Sequence, residues 1–106
     1  MSLDVRLNHL LMIQNILDQH LPNQSVIAFG SRVKDTAQKT SDLDLCIMGE
    51  QSLSFEAMAH LRDAFSLSTI PYKIDIVEWA NVSPAFQKII THQPHIKINR
   101  SSFSIA

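Results

Sequence analysis

A chain of 106 residues with 45% hydrophobic content has the size of one compact domain, with nothing to spare for a second lobe. Nine basic and ten acidic side chains leave a formal charge of −1, which excludes a broad basic field for nucleic acid. The short, charge-interrupted apolar stretches read as neither a signal peptide nor a transmembrane span, and the single cysteine, Cys46, precludes an intrachain disulfide and suits a reducing cytoplasm, the expected location.

The first element expected is a helix over residues 3–20, capped by Ser2, with Asp4 in its first turn. Leu3, Leu7, Leu10, Leu11 and Leu17 recur at helical spacing, and Pro22 stops the run. Ser25 to Phe29 is a short apolar run ending at Gly30, the pattern of a buried strand. Asp42 to Met48 alternates: Leu43, Leu45 and Ile47 face one way, Asp42, Asp44 and Cys46 the other. Ser54 caps a second helix reaching Phe65, with Met58, Leu61 and Phe65 on one side. A third strand runs from Lys73 to Trp79. Ser83 and Pro84 open a last helix burying Phe86, Ile89 and Ile90, and the alternation around Ile96 and Ile98 adds an edge strand. The order is that of a single α/β domain over residues 1–106, with 99–106 as a tail. His9, His20, His60, His92 and His95 form no zinc pattern, since Pro94 breaks the only helical pair.

The chemistry sits on three short stretches. Two acids at i and i+2 on one strand project side by side, roughly 6.6 Å apart. Such carboxylates on an apolar strand repel one another, and hard oxygen ligands of this kind select Mg²⁺ over zinc. Two such ions can hold the attacking and leaving oxygens of an in-line phosphoryl displacement. Asp75, an acid between Ile74 and Ile76, is the third member by pattern. Gly30 ends a strand where a backbone can approach a phosphate, and Ser31 adds a hydroxyl and an amide at what reads as a helix start. Arg32, Lys34 and Lys39 are nearby cations; Arg32 reads as functional, the two lysines as surface charges. Glu78 falls on the face opposite Asp75, Cys46 reads as a packed thiol, and Trp79 and Phe86 as core.

These residues share a site only in one topology. Gly30 ends the first strand and Asp42 begins the second, so those strands must be antiparallel. The intervening dozen residues are also short for a parallel crossover. Asp75 sits early in the third strand, so the second and third must be parallel, and the 24 residues between them suffice. The expectation is a small mixed sheet with the site on one rim. A separation of Asp44 and Asp75 carboxylates beyond about 10 Å would exclude the two-metal reading.

Gly-Ser alone is a common turn, and Asp-x-Asp alone recurs by chance. Together, Gly30-Ser31, ten intervening residues and Asp42-Leu43-Asp44 resemble the signature of the DNA polymerase beta-type nucleotidyltransferases. "FGSRVKDTAQKTSDLDLCI" is similar to the minimal branch of that superfamily. "PYKIDIVEW" resembles the segment bearing its third aspartate, and "NVSPAFQKII" its last helix. The resemblance spans roughly residues 25–92 and implies a nucleotidyltransferase fold. It implies that Asp42, Asp44 and Asp75 bind two Mg²⁺ ions, with Asp75 assisting deprotonation of the acceptor, while Gly30, Ser31 and Arg32 hold an ATP donor. Many members carry a glycine where this chain has Asp35.

Larger relatives use extra domains to grip the acceptor. The sequence has no length for one, so a protein partner or a second copy must present the hydroxyl. Minimal nucleotidyltransferases are commonly encoded beside HEPN toxins, and the resemblance implies an antitoxin that transfers AMP to a tyrosine of its HEPN-type partner. The alternatives are an antitoxin that neutralises by binding alone, and a transferase acting on a small molecule. Phe103 and Ile105 offer a contact for self-association.

Overall fold

The computed structural model describes residues 3–34, 37–38 and 41–99. Ser2, Asp35, Lys39 and the tail beyond Asn99, with Phe103 and Ile105, lie outside the described residues. In chain order the elements are α1 (Leu7–His20), β1 (Val26–Phe29), β2 (Leu43–Ile47), α2 (Phe55–Ser66), β3 (Ile74–Glu78), α3 (Pro84–His92) and β4 (Ile96–Lys97), with one 3₁₀ turn at Trp79–Asn81. The strands form one sheet in the order β3-β2-β1-β4. β1 is antiparallel to β2 and β4, and β2 is parallel to β3, the mixed arrangement the shared site requires.

Two apolar layers sandwich this sheet. On one face Leu43, Leu45, Ile47 and Ile76 join Val26 and Ala28 beneath Ile13 and Leu17 of α1 and Leu61 and Phe65 of α2. On the other, Ile27, Phe29 and Cys46 pack against Ile90 of α3, with Phe86, Val77 and Trp79 around them. Alternation along each strand produces this division. β1 lies between two strands with all four residues buried, which is why its sequence is apolar without interruption.

The caps at Ser54 and Ser83 form as expected: their hydroxyls accept from the amides of Ala57 (3.1 Å) and Phe86 (3.2 Å). β2 and β3 each stop one residue short at both ends of the alternating run, ordinary fraying of strand ends. β4 is held by a side chain as well as its ladder. Asn99 accepts from the Val26 amide (3.0 Å) and donates to the Gln24 carbonyl (2.5 Å).

α1 departs from expectation. It begins at Leu7, with Arg6 at the cap position and no side-chain cap bond, so Asp4 is not in its first turn. The Asp4 amide donates to the Arg32 carbonyl (2.7 Å), and the Arg32 guanidinium donates to the Asp4 carbonyl (3.0 Å). These long-range bonds draw the segment ahead of Leu7 onto the Gly-Ser turn and out of helical register. Of the expected stripe, Leu17 is buried and Leu3 and Leu10 pack against the core, but Leu7 and Leu11 are 70% and 45% exposed and Ile13 takes their place. In α3, Phe86 and Ile90 face the sheet at i and i+4, and Ile89 is 47% exposed. Among the described residues no helix is long and apolar enough to cross a membrane.

Candidate active site

Strand register assembles the site. Asp44 is paired with Phe29 of β1 on one side and with Asp75 of β3 on the other. Gly30 follows Phe29, so one row across the sheet reads Asp75, Asp44 and the start of the Gly-Ser turn. Adjacent strands are about 4.8 Å apart, and Asp44 and Asp75 rise from the same face. This spacing is well inside the limit of about 10 Å set by a two-ion site. Further along that face, Cys46 and Val77 are covered by α3, whereas Asp44 is only half-buried and Asp75 exposed. The acids occupy the end of the face that α3 leaves open.

Gly30 is required here on two counts. Its φ of +83° lies in the left-handed region, which side chains disfavour. A Cβ at this position would also run into the Asp44 carboxylate. The backbone of the turn therefore touches the acid directly. Residues 31–34 form a turn rather than the expected helix start: the amides of Val33 (3.0 Å) and Lys34 (3.1 Å) both close on the Gly30 carbonyl. Ser31 stands at the head of that turn, half-buried.

Electrostatics mark Asp44 as the centre. Its pKa is raised above the ordinary 3.8 by burial first, then by the charges of Asp75 and Asp42, against a lowering influence from Lys34. A carboxylate desolvated and crowded by two others favours a bound cation. Asp42, one residue ahead of β2, is exposed. Among the described residues no three His, Cys, Asp or Glu side chains converge on a single ready-made ion site. The donor set is thus an acid pair with a third acid at its margin. That suits Mg²⁺, which typically takes one or two carboxylates and completes its shell with water and phosphate oxygens.

Arg32 is placed differently from Gly30 and Ser31. It is 6% exposed. Its guanidinium donates to the Ser41 carbonyl (2.9 Å) and the Asp4 carbonyl (3.0 Å) and lies 3.8 Å from the centre of the Tyr72 ring. Its geometry is that of a clamp that fixes Ser41, the residue before Asp42. Burial pushes the Tyr72 hydroxyl pKa up, partly offset by Arg32; the hydroxyl lies 3.3 Å from His9 Nδ1. The cation acting on Asp44 is Lys34, which sequence reasoning set aside as a surface charge. Its approach to Asp44 follows from the turn that closes on Gly30, which the sequence does not show. Glu78 faces away from Asp75 and accepts from the Leu53 amide (2.6 Å) ahead of α2.

A twisted mixed sheet with a glycine turn against paired strand acids is the arrangement of a nucleotidyltransferase. The chain belongs to the polymerase beta nucleotidyltransferase family, whose model matches residues 12–102, and it is an enzyme of that class. A relative from Haemophilus influenzae, named probable protein adenylyltransferase MntA, is 46% identical over 89 residues, or 84% of this chain and 78% of the relative. A crystal structure described as a toxin-antitoxin with AMP-PNP aligns with a TM-score of 0.69 at 20% identity, covering 84% of this chain and 71% of that one. A mutant MntA-HpeT toxin-antitoxin structure aligns at 0.64 and 16% identity, covering 95% and 80%. At such identities the two structures establish the shared fold.

Proposed function

We propose that this chain transfers AMP from ATP to a tyrosine hydroxyl of a HEPN-type toxin and thereby acts as its antitoxin. The observation that carries the reading is the row of Asp75, Asp44 and Gly30 across three strands. The relative named as a protein adenylyltransferase and the toxin-antitoxin neighbours support the choice of donor and partner.

In this reading the acceptor oxygen attacks the α-phosphorus and the bond to pyrophosphate breaks. The hydroxyl proton passes to Asp75, the exposed carboxylate on the open side of the pair. Gly30 and Ser31 hold the triphosphate against the backbone of the turn, with Lys34 close enough to offset its charge. Arg32 keeps the Ser41 carbonyl, and with it Asp42, in place. Bound Mg²⁺ would neutralise the carboxylates and polarise the reacting phosphate.

The test is the intact mass of the partner toxin after incubation with this chain, ATP and Mg²⁺. We expect added AMP with the wild type and none with the Asp42→Asn, Asp44→Asn double variant. Undiminished transfer by that variant would overturn the reading. The toxin-antitoxin neighbours fit one competitor equally well, an antitoxin that binds without chemistry. Neutralisation that survives the double variant, with no mass change in either case, would establish that competitor.

A further inference from the structure

The acid pair stands beside the sheet's open edge. β3 is the outermost strand on its side, and among the described residues it pairs only with β2. The Leu43 amide donates to the Lys73 carbonyl (2.9 Å). Backbone polar groups alternate in direction along a strand, so the amides and carbonyls of Ile74 and Ile76 point outward, away from β2. An unpaired edge of this kind is a template for another strand.

The edge is also grooved. Beneath the C-terminal half of α2, a cavity of about 430 Å³ has Phe65, Ile74 and Ile76 on its floor, with Asp75, Lys73 and Arg62 around it. A second, of about 410 Å³, continues beneath the N-terminal half between Leu53, Met58 and Glu78. Arg62 lines both, so the two form one trough along β3 from Asp75 to Glu78. Its charge is polarised. Lys73 stands at the Asp75 end, Asp63 and Glu78 at the other, and Arg62 at the junction.

We propose that this trough is the acceptor site, and that its occupant is an extended polypeptide segment which adds to β3 as a further strand. The inference rests on the transferase reading and names the form of its substrate. A residue set opposite Asp75 in such a strand projects from the face that carries Asp44, which brings its hydroxyl to the acids. Its sequence neighbours project to the other face, onto Phe65, Ile74 and Ile76, so they are apolar. Residues two removed from the tyrosine return to its own face, where Lys73 stands two residues before Asp75, so the one on that side is acidic by complementarity of charge. Strand addition supplies affinity through the main chain, and the alternate pockets supply selectivity. A helical acceptor would leave the outward groups of Ile74 and Ile76 unmatched.

The experiment uses the full chain with a synthetic tyrosine peptide carrying valine on both sides and glutamate beyond. Two counterparts replace glutamate by lysine, or methylate the backbone nitrogens. Backbone hydrogen exchange reads binding; AMP transfer with ATP and Mg²⁺ reads the chemistry. We expect slowed exchange at Ile74 and Ile76, and transfer to the glutamate peptide that exceeds the lysine peptide by about threefold for one exposed cation. Backbone methylation should abolish both signals. Lys73→Glu, at an exposed side chain, should reverse the charge preference. Ile74→Pro removes an outward amide without touching the β2 ladder, and should raise the peptide KM while leaving nucleotide affinity unchanged. Unchanged exchange at Ile74 and Ile76, no binding of the glutamate peptide, or transfer indifferent to charge and methylation would each overturn the trough. Slowed exchange without transfer would instead uphold the trough and remove the transferase reading.

Discussion

At Gly30, one missing side chain makes room for another residue's charge. A Gly30→Ala substitution must force an alanine into the left-handed region, at a cost of about 1–2 kcal/mol, and displace the Asp44 carboxylate that occupies the Cβ position. We expect a lower melting temperature and AMP transfer reduced by at least about tenfold through misplaced geometry; full activity would mean that the turn need not touch the acid. Asp44 yields a prediction in pH. Its folded pKa lies above the ordinary 3.8, so between those two values the folded protein binds more protons than the unfolded one. Stability therefore falls as pH rises through that window. At neutral pH, without metal, Asp44→Asn should melt higher than the wild type, and the gain should vanish below the window. Mg²⁺ should narrow the gap by stabilising the wild type alone. A variant less stable than wild type at pH 7 would refute the repulsion argument. The pairing of Asp44 with Asp75 on one face was legible in the sequence because strand alternation fixes a side chain's face. Lys34 was not, because its approach to Asp44 depends on how a turn closes in three dimensions.

Elements show where local rules lose to distant bonds. The leucines of residues 3–17 fit two overlapping helical stripes, and only contact with the sheet selects the one through Ile13 and Leu17. The start of α1 was illegible for a different reason: Arg32, 28 residues away from Asp4, captures the segment before Leu7. The capped starts of α2 and α3 were legible, since serine caps act within three residues. Arg32 links the N-terminal segment, the Gly-Ser turn and the approach to β2. Arg32→Lys cannot bridge both carbonyls while stacking on Tyr72, and should destabilise the fold by about 2 kcal/mol with little change in the KM for ATP. Denaturation and steady-state kinetics check both halves. A large rise in KM at unchanged stability would put the guanidinium on the phosphates instead.

The two sides of the whole molecule are unequal. Among the described residues the α1 and α2 side contains thirteen buried core residues and the α3 side four, so the α3 layer should open before the rest. Cys46 lies in that smaller layer, and burial pushes its thiol up to about 11, which leaves it unreactive while covered. Pulsed alkylation in dilute urea should therefore label Cys46 through an opening whose urea dependence is weaker than that of global unfolding. Equal slopes would mean that both layers come apart together. The strand directions of this sheet followed from requiring Gly30, Asp44 and Asp75 to meet. The unequal layers did not, because they depend on how much of each helix faces inward.

One consequence follows from where the sheet puts its strands. Gly30 follows β1, which is flanked on both sides and covered on both faces, while Asp75 belongs to β3, supported on one side only among the described residues. On the proposed reading the row is thus an anvil at the donor end and a jaw at the acceptor end. A mild loss of stability should loosen the jaw first, so that a weakened variant grows less selective about what it modifies while still gripping its nucleotide.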